Sequence, residues 1–523
     1  MVDRNPKLAL FHPFLFGLVP VVSLLSHNID GVPIQHAIRP AALALALALL
    51  GLLLAKRLVQ TWEHAALLTS LFLMLFFSYG HVYLGLVYEG TLNLFLGFGL
   101  VGRHPTLLLA WVGVYALGAF AMHRAAVLRP TMTQLFSVTG LIAVAFPLVQ
   151  IASHELELTR PWPMEQLEAL PASPSAGHST PDIYFIVLDA YGRSDVLQDI
   201  YDYDNSHFVN FLRSQGFFVA SQSRSNYLQT ELSLSSALNL TYLDFLSTDP
   251  GKDSADRTPF ARLIRRSRLR ELLEQSGYTI VDISTGFRVT ALEDADIFLE
   301  APFGESTTLE RLLMDTSGLV IIQDLLAALD RPPLRPGYQA HRVRIAYGIE
   351  ALGSVPSLPG PKFVMAHILV PHPPFVFDEH GNAAREEHPF TLLDGSAYLG
   401  SDEEYIQGYR AQITYVDRVM EQAIAAILRE SAEPPIILVQ GDHGPGSGLD
   451  WDSLDRTDAT ERSAILNAYY LPSVTHEALY PSISPVNSFR LILDLYFGAQ
   501  LGMLPDNSYF TTWEHPYDFI PIN

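Results

Sequence analysis

The run PPIILVQGDHGPGSG, residues 434–448, carries the apolar stretch Ile436 to Val439 into Asp442 and His443, which stand between Gly441 and Gly444. A carboxylate and an imidazole at the end of a run apolar enough for burial are costly unless a partner satisfies them. Asp189 closes a second such run, IYFIVLDAYG (183–192), and His372 follows a third, KFVMAHILVPHPP (362–374). Carboxylates and imidazole with no thiolate suit manganese, zinc or magnesium better than a soft metal. The simpler reading is that Asp442 caps the loop that follows it and His443 gives a hydrogen bond. Thr230, in SNYLQTELSLSSALN (225–239), stands just before a helical run. A helix N-terminus offers free N–H groups to an anion, and a threonine hydroxyl beside a cation is easier to deprotonate and can attack. The commoner role for a threonine there is the helix cap, with Glu231 favouring the dipole.

These residues lie far apart in sequence, so the fold must bring them together. Short apolar runs bounded by Gly, Pro or Asp recur at 183–192, 216–223, 278–285, 362–374, 435–444 and 465–472, with helical patterns between them. Alternating strands and helices predict an α/β domain around a largely parallel sheet. Ligands in such sheets bind at the carboxyl ends of the strands. Parallel strands would therefore set Asp189, His372, Asp442 and His443 along one sheet edge.

The long apolar runs nearly all precede residue 153. Five are read as membrane spans, at roughly 8–25, 40–58, 65–85, 106–123 and 134–153, each near the ~20 residues that cross a bilayer as a helix. Arg4 and Lys7 precede the first, Lys56 and Arg57 separate the second from the third, and Arg124 and Arg129 the fourth from the fifth. The opposite loops hold mainly Arg39 and Arg103. The positive-inside rule then places the N-terminus in the cytoplasm and everything beyond the fifth span outside. The stretch VYEGTLNLFLGFGLVG (87–102) reads as an interfacial or re-entrant segment. The expected organisation is a transmembrane domain over 1–153, a linker rich in Pro, Ala, Ser and Glu over 154–181, and a catalytic domain over 182–523.

The net charge of −22 belongs to the part beyond residue 160, because the first 160 residues carry a slight basic excess. So acidic an ectodomain argues against nucleic acid as a partner. The absence of cysteine fits an exported protein that forgoes disulfides.

Asp189 at the end of the first strand, then QTELSLSSALN, PHPPF, GDHG and ERSAILNAYYLP in that order, resembles the alkaline-phosphatase/sulfatase superfamily. With the five spans, the chain is more closely similar to that superfamily's membrane-anchored branch, the lipoteichoic acid synthases and lipid A phosphoethanolamine transferases. The resemblance covers nearly the whole chain. It implies a five-helix transmembrane domain followed by an extracytoplasmic sulfatase-like α/β domain, in the cytoplasmic (inner) membrane of a cell with an envelope. It implies that Thr230 is the nucleophile that takes up a phosphorylated headgroup, that Asp189, Asp442, His443 and Thr230 hold one divalent metal ion, Mn or Zn, and that His372 contacts substrate or assists the leaving group. The implied activity is transfer of a phosphoglycerol- or phosphoethanolamine-type headgroup from a membrane lipid donor to an envelope glycan or lipid acceptor. Hydrolysis of phosphodiesters or sulfate esters, and a non-catalytic scaffold for envelope polymers, are the alternatives.

Three departures narrow the resemblance. With no cysteine, and with ELS after Thr230 rather than a Pro-x-Arg pattern, formylglycine sulfatase chemistry is not expected. Ala190 follows Asp189 where two-metal relatives carry a second acid, so one permanent metal is expected. Residues 444–462 hold no histidine, unlike the phosphoethanolamine transferases, which carry one shortly after the Asp-His pair. Elsewhere, His367 reads as a histidine inside a buried strand and Asp417 as a packing or capping residue. The five arginines between Arg262 and Arg270 read as a solvated helix face paired to Glu271 and Glu274, the alternative being a dock for anionic headgroups.

Overall fold

The structure is a computed structural model, and its described residues are 11–88, 104–160, 162, 180–284, 286–301, 307–328, 336–474 and 476–522. It divides into two compact units, one formed by 1–156 with 305–337, the other by 157–304 with 338–523.

The first unit holds five apolar helices in the predicted places: α1 (His12–His27), α2 (Ile38–Leu58), α3 (Trp62–Tyr88), α4 (His104–Arg124) and α5 (Arg129–Leu158). Among the described residues four apolar segments, covering α2, most of α3, α4 and α5, are long and apolar enough to cross a membrane. At 16 residues, α1 is shorter than those. Helix α5 continues to Leu158, beyond the predicted end of the last span and into the stretch read as linker. Most of that linker, and residues 89–102 of the segment read as interfacial or re-entrant, lie outside the described residues.

The second unit is built on a seven-stranded sheet of order β2-β7-β6-β1-β5-β3-β4. Its strands are β1 (Ile183–Leu188), β2 (Phe218–Val219), β3 (Thr279–Ser284), β4 (Ile297–Glu300), β5 (Lys362–Ile368), β6 (Ile436–Gln440) and β7 (Asn467–Tyr470). The central strands β6, β1, β5, β3 and β4 run parallel, while β7 and β2 are antiparallel additions at one edge. Every residue of β1, β5 and β6 is buried, as expected for parallel strands covered on both faces. Successive side chains feed two cores. Tyr184, Ile186 and Leu188 point to one, and Ile183, Phe185 and Val187 to the other. A helix at Asp402–Glu430 presses Ile413, Val416, Met420, Ile424 and Ile427 into the first core. Its start is fixed by a capping box between Ser401 and Glu404.

The register sets up the chemistry. Leu188 pairs with Ile368, and Val187 with Gln440. Carried two residues past the strand ends, the second pairing brings Asp189 level with Asp442.

Candidate active site

Asp189, Thr230, Asp442 and His443 meet at the carboxyl ends of β1 and β6. The ligand atoms of Asp189, Asp442 and His443 all lie within 4.8 Å of one another, and all three residues are buried. His443 Nε2 is 3.6 Å from Asp189 Oδ1 and 3.4 Å from Asp442 Oδ2. Thr230 Oγ1 lies 3.1 Å from the same nitrogen.

Local backbone geometry holds these groups. Ala190 has a φ of 64°, a left-handed conformation costly for a residue with a Cβ. That turn lets the Ala190 N–H donate to Asp442 Oδ1 at 3.1 Å, so the residue after one carboxylate orients the other. Gly444 passes so close to the 461 backbone that a Cβ there would sit 2.0 Å from the Glu461 carbonyl oxygen. The glycine after the Asp-His pair is therefore demanded by packing.

Thr230 opens the helix Thr230–Asn239, but the cap position belongs to Gln229, and no side chain caps this end. The hydroxyl of Thr230 is turned to His443 instead of its own helix. Glu231 pairs with Arg257 at 3.2 Å.

A divalent cation fits these residues. Asp189 Oδ1 and Asp442 Oδ2 are buried with no hydrogen-bond partner among the described residues, and unpaired buried carboxylate oxygens are strongly disfavoured. His443 donates from Nδ1 to the Gly444 carbonyl at 2.9 Å, which leaves Nε2 as the lone-pair nitrogen facing the carboxylates. Burial, and next the Arg462 charge, push the His443 pKa down to about 3, so the ring is neutral. A neutral imidazole, two carboxylates and a hydroxyl converging on one point form an oxygen and nitrogen donor set.

His372 stands beside this group rather than in it. Its ring centroid is 6.3 Å from that of His443, and its Nε2 is 3.7 Å from Asp394 Oδ2. Its backbone N–H donates to the Asp189 carbonyl at 3.1 Å.

Three residues near the site carry no role in the sequence reading. Arg462 is fully buried. It donates to Asp394 Oδ2 at 2.5 Å, to the Leu228 carbonyl at 3.0 Å and to the Gly444 carbonyl at 3.2 Å, and its Nη2 is 3.1 Å from His443 Nε2. Asp394 also accepts from the Tyr405 hydroxyl at 2.8 Å. Burial alone would raise its pKa, but Arg462 first and then His372 hold it well below the usual carboxylate range. His367 lies in β5, as read, yet its Nε2 is 3.3 Å from Asp189 Oδ2 while Nδ1 meets Thr290 Oγ1 at 2.8 Å. An arginine in ERSAILN was available as a signal. Asp394 and His367 had none beyond their residue type.

A cavity of about 290 Å³ opens beside the residues that follow His372. Tyr338, Phe375 and Tyr398 supply aromatic walls, and Glu387 and Glu404 supply carboxylates.

The other sequence readings find their places. Asp417 accepts from Tyr191 at 2.7 Å and Tyr203 at 2.8 Å, a packing role. Most of the arginine cluster is ion-paired: Arg262 to Glu157, Arg265 to Glu293, Arg266 and Arg270 to Asp294, and Arg270 also to Glu274.

No family model matches the chain, and no curated protein does. Solved structures similar to it include the C-terminal periplasmic domain of EcEptC from Escherichia coli. That likeness has 12% identity and a TM-score of 0.42, and covers 68% of this chain and 96% of that one. The same domain is also known in complex with Zn. The integral membrane lipooligosaccharide phosphoethanolamine transferase A from Neisseria meningitidis is similar at 10% identity and a TM-score of 0.40, over 94% of this chain and 95% of that one. A 2-O GAG sulfatase is similar at 12% identity and a TM-score of 0.37, over 64% of this chain and 73% of that one. The chain is thus similar to phosphoethanolamine transferases, soluble domain and full-length, and to sulfatases.

Proposed function

We propose that the protein is a membrane-anchored transferase of phosphorylated headgroups, taking the group from a lipid donor onto Thr230 and passing it to an envelope glycan or lipid. The observation that carries this reading is the pair of buried carboxylate oxygens of Asp189 and Asp442 that lack a hydrogen-bond partner among the described residues, beside Thr230 Oγ1 and His443 Nε2. One divalent ion, Mn or Zn, held by Asp189, Asp442, His443 and Thr230, would supply positive charge that polarises a phosphoryl oxygen and eases loss of the threonine proton.

The residues of the chain then divide the work. Thr230 Oγ1 forms a bond to phosphorus as the bond from phosphorus to the lipid oxygen breaks, and the lipid alcohol leaves with a proton from His372. In a second displacement an acceptor hydroxyl attacks the same phosphorus, and Thr230 recovers its hydroxyl. Arg462, anchored by Asp394, offers N–H groups to the phosphoryl oxygens. The aromatic walls with Glu387 and Glu404 suit a cationic amine that takes the place of Arg385, which lines the same cavity and pairs with Glu387 at 3.3 Å, and this favours a phosphoethanolamine-type group over phosphoglycerol. In this reading the five apolar helices span the cytoplasmic membrane as a domain over 1–153, and a linker over 154–181 leads to the catalytic domain over 182–523 outside. Anchoring raises the local concentration of the lipid donor.

Release of diacylglycerol from labelled phosphatidylethanolamine by the full-length protein tests the reading. Thr230→Ala should abolish release while the protein keeps its fold, and Thr230→Ser should retain part of it. Release that survives in Thr230→Ala overturns the mechanism.

A further inference from the structure

The membrane unit contains a slot that none of the residues above uses. Phe72, Leu75, Phe76 and Tyr79 form a stripe on α3, and Leu108, Trp111, Val112 and Tyr115 form the same i, i+3, i+4, i+7 stripe on α4. Such stripes normally pack into each other. Here they border a slot of about 320 Å³ that Gly318 and Ile321 also line.

Those two residues belong to the segment 305–337 of the same unit, which carries the helices Thr308–Thr316 and Val320–Ala328. The segment lies directly on α3. A Cβ on Gly80 would come within 2.3 Å of the Asp315 carbonyl oxygen, and the Gly318 N–H donates to the Phe76 carbonyl at 2.7 Å. Leu309 is buried among Val21, Leu25, Leu73 and Phe77. Arg39 and Glu310 form an ion pair in the same unit. Beyond the slot, Ile322 and Leu325 of this segment are exposed and apolar.

Three observations define the occupant. First, the walls are helices long and apolar enough to cross a membrane, and two of their three side-chain polar groups, those of Trp111 and Tyr79 but not Tyr115, are held by the chain itself. Trp111 Nε1 donates to the Leu75 carbonyl at 2.8 Å, and the Tyr79 hydroxyl lies 2.9 Å from His104 Nδ1. The slot therefore suits something with no hydrogen bonds to make. Second, the lining side chains are aromatic or branched, whereas helices that associate in lipid need small residues for close approach. A second copy of the chain fits poorly. Third, with the Lys56–Arg57 end inside, Phe76 lies about 21 Å along α3 from Trp62, in the outer half of a ~30 Å hydrocarbon layer.

We propose that this slot is a lipid site that holds one acyl chain of an outer-leaflet phospholipid between α3 and α4, beside Gly318 and Ile321. It is a tail site, separate from the Thr230 chemistry, and stands whether or not that reaction is confirmed.

The test places the full-length protein in phosphatidylglycerol vesicles doped with a phosphatidylcholine that carries a mid-chain diazirine. After illumination, labelled peptides are mapped by mass spectrometry. The slot residues of α3 and α4, with Ile321, should be labelled well above Leu109, Leu117 and Leu141, although Val112 at 63% is as exposed as Leu141 at 60%. Val112→Trp should lower slot labelling about tenfold, the change expected when burial of about two methylenes is lost. Leu109→Trp, on another face of α4, should leave it unchanged. Should Val112→Trp fail to fold, Ile321→Trp fills the slot instead. Labelling that follows exposure alone and ignores a tryptophan in the slot overturns the proposal, as do cross-links between two chains through these stripes.

Discussion

Arg462 Nη2 and His443 Nε2 stand 3.1 Å apart at the centre of the site. Because His443 Nδ1 donates to the Gly444 carbonyl, Nε2 has one lone pair, and Arg462 and Thr230 both approach it. With His443 Nε2 and the Thr230 hydroxyl both given to a bound cation, the Arg462 guanidinium would be left to meet an entering anion. In the proposed reaction that anion is the phosphoryl group.

Arg462 therefore has two measurable effects. Arg462→Gln leaves Asp394 buried without its cation, and breaking such a pair costs ~3–5 kcal/mol. Thermal unfolding should show that loss, and Arg462→Gln with Asp394→Asn should recover part of it. Arg462→Lys, which keeps the charge but loses the fork, should lower kcat/KM by about a hundredfold. Unchanged kcat/KM in the lysine variant would remove Arg462 from the reaction.

Metal should stabilise the fold. With the cation at about a hundred times its Kd, the gain is ~2.7 kcal/mol, read as a rise in Tm that a chelator reverses. Asp442→Asn should erase the metal-dependent rise while changing the metal-free Tm little, because the Asp442 Oδ2 atom it alters has no hydrogen-bond partner among the described residues. A full metal response in that variant would move the ion elsewhere.

His367 orients Asp189 through its Nε2. A residue of this kind tunes a metal ligand without touching the ion, and its loss typically costs 10- to 100-fold in affinity. His367→Ala should weaken zinc binding by about that factor in a competition titration with a chromogenic chelator. Binding as tight as wild type would make His367 only a strand residue.

The cavity beside His372 makes a prediction about specificity. Glu387→Gln with Glu404→Gln should raise KM for phosphatidylethanolamine by about tenfold while leaving that for phosphatidylglycerol unchanged. Equal effects on both lipids would separate this cavity from headgroup recognition.

Asp417 gives the pH dependence its sign. Burial lifts its pKa to about 7 from an ordinary 3.8. Between those values the folded state binds a proton that the unfolded state has lost, so stability falls as pH rises. Asp417→Asn removes the titration. The wild-type Tm should therefore fall relative to that variant from about pH 4 to about pH 7, and a constant difference would contradict the assignment.

Much of this site was legible in the sequence, for a physical reason. Ile436 to Val439 and Ile183 to Leu188 are apolar at every position because parallel strands are covered on both faces, and their polar ends stand out against that background. Topology alone then carries Asp189 to Asp442. Thr230 could be placed at a helix start, but whether it caps that helix depends on the Gln229 backbone, which residue types do not reveal. Asp394 was hidden because it sits in a long irregular stretch, where no periodicity marks an inward-facing side chain. Strand β4 was missed because IFLE is short and flanked by acids, and its pairing with β3 is a tertiary choice. The arginines from Arg262 to Arg270 were read as one solvated helix face paired to Glu271 and Glu274, but they fall on two short helices, and Arg265 and Arg270 are buried. Their partners are Glu157, Glu293 and Asp294 as well as Glu274, because tertiary packing and not helical spacing chooses them.

In the proposed reaction Thr230 carries the transferred group. The most direct measurement is the intact mass of the full-length protein after incubation with membrane lipid and a divalent metal, with the acceptor left out so that the second displacement stalls. The account predicts an adduct whose mass equals one phosphorylated headgroup, mapped to Thr230 and absent from Thr230→Ala. No adduct under any lipid and metal combination, or an adduct on another residue, would contradict it.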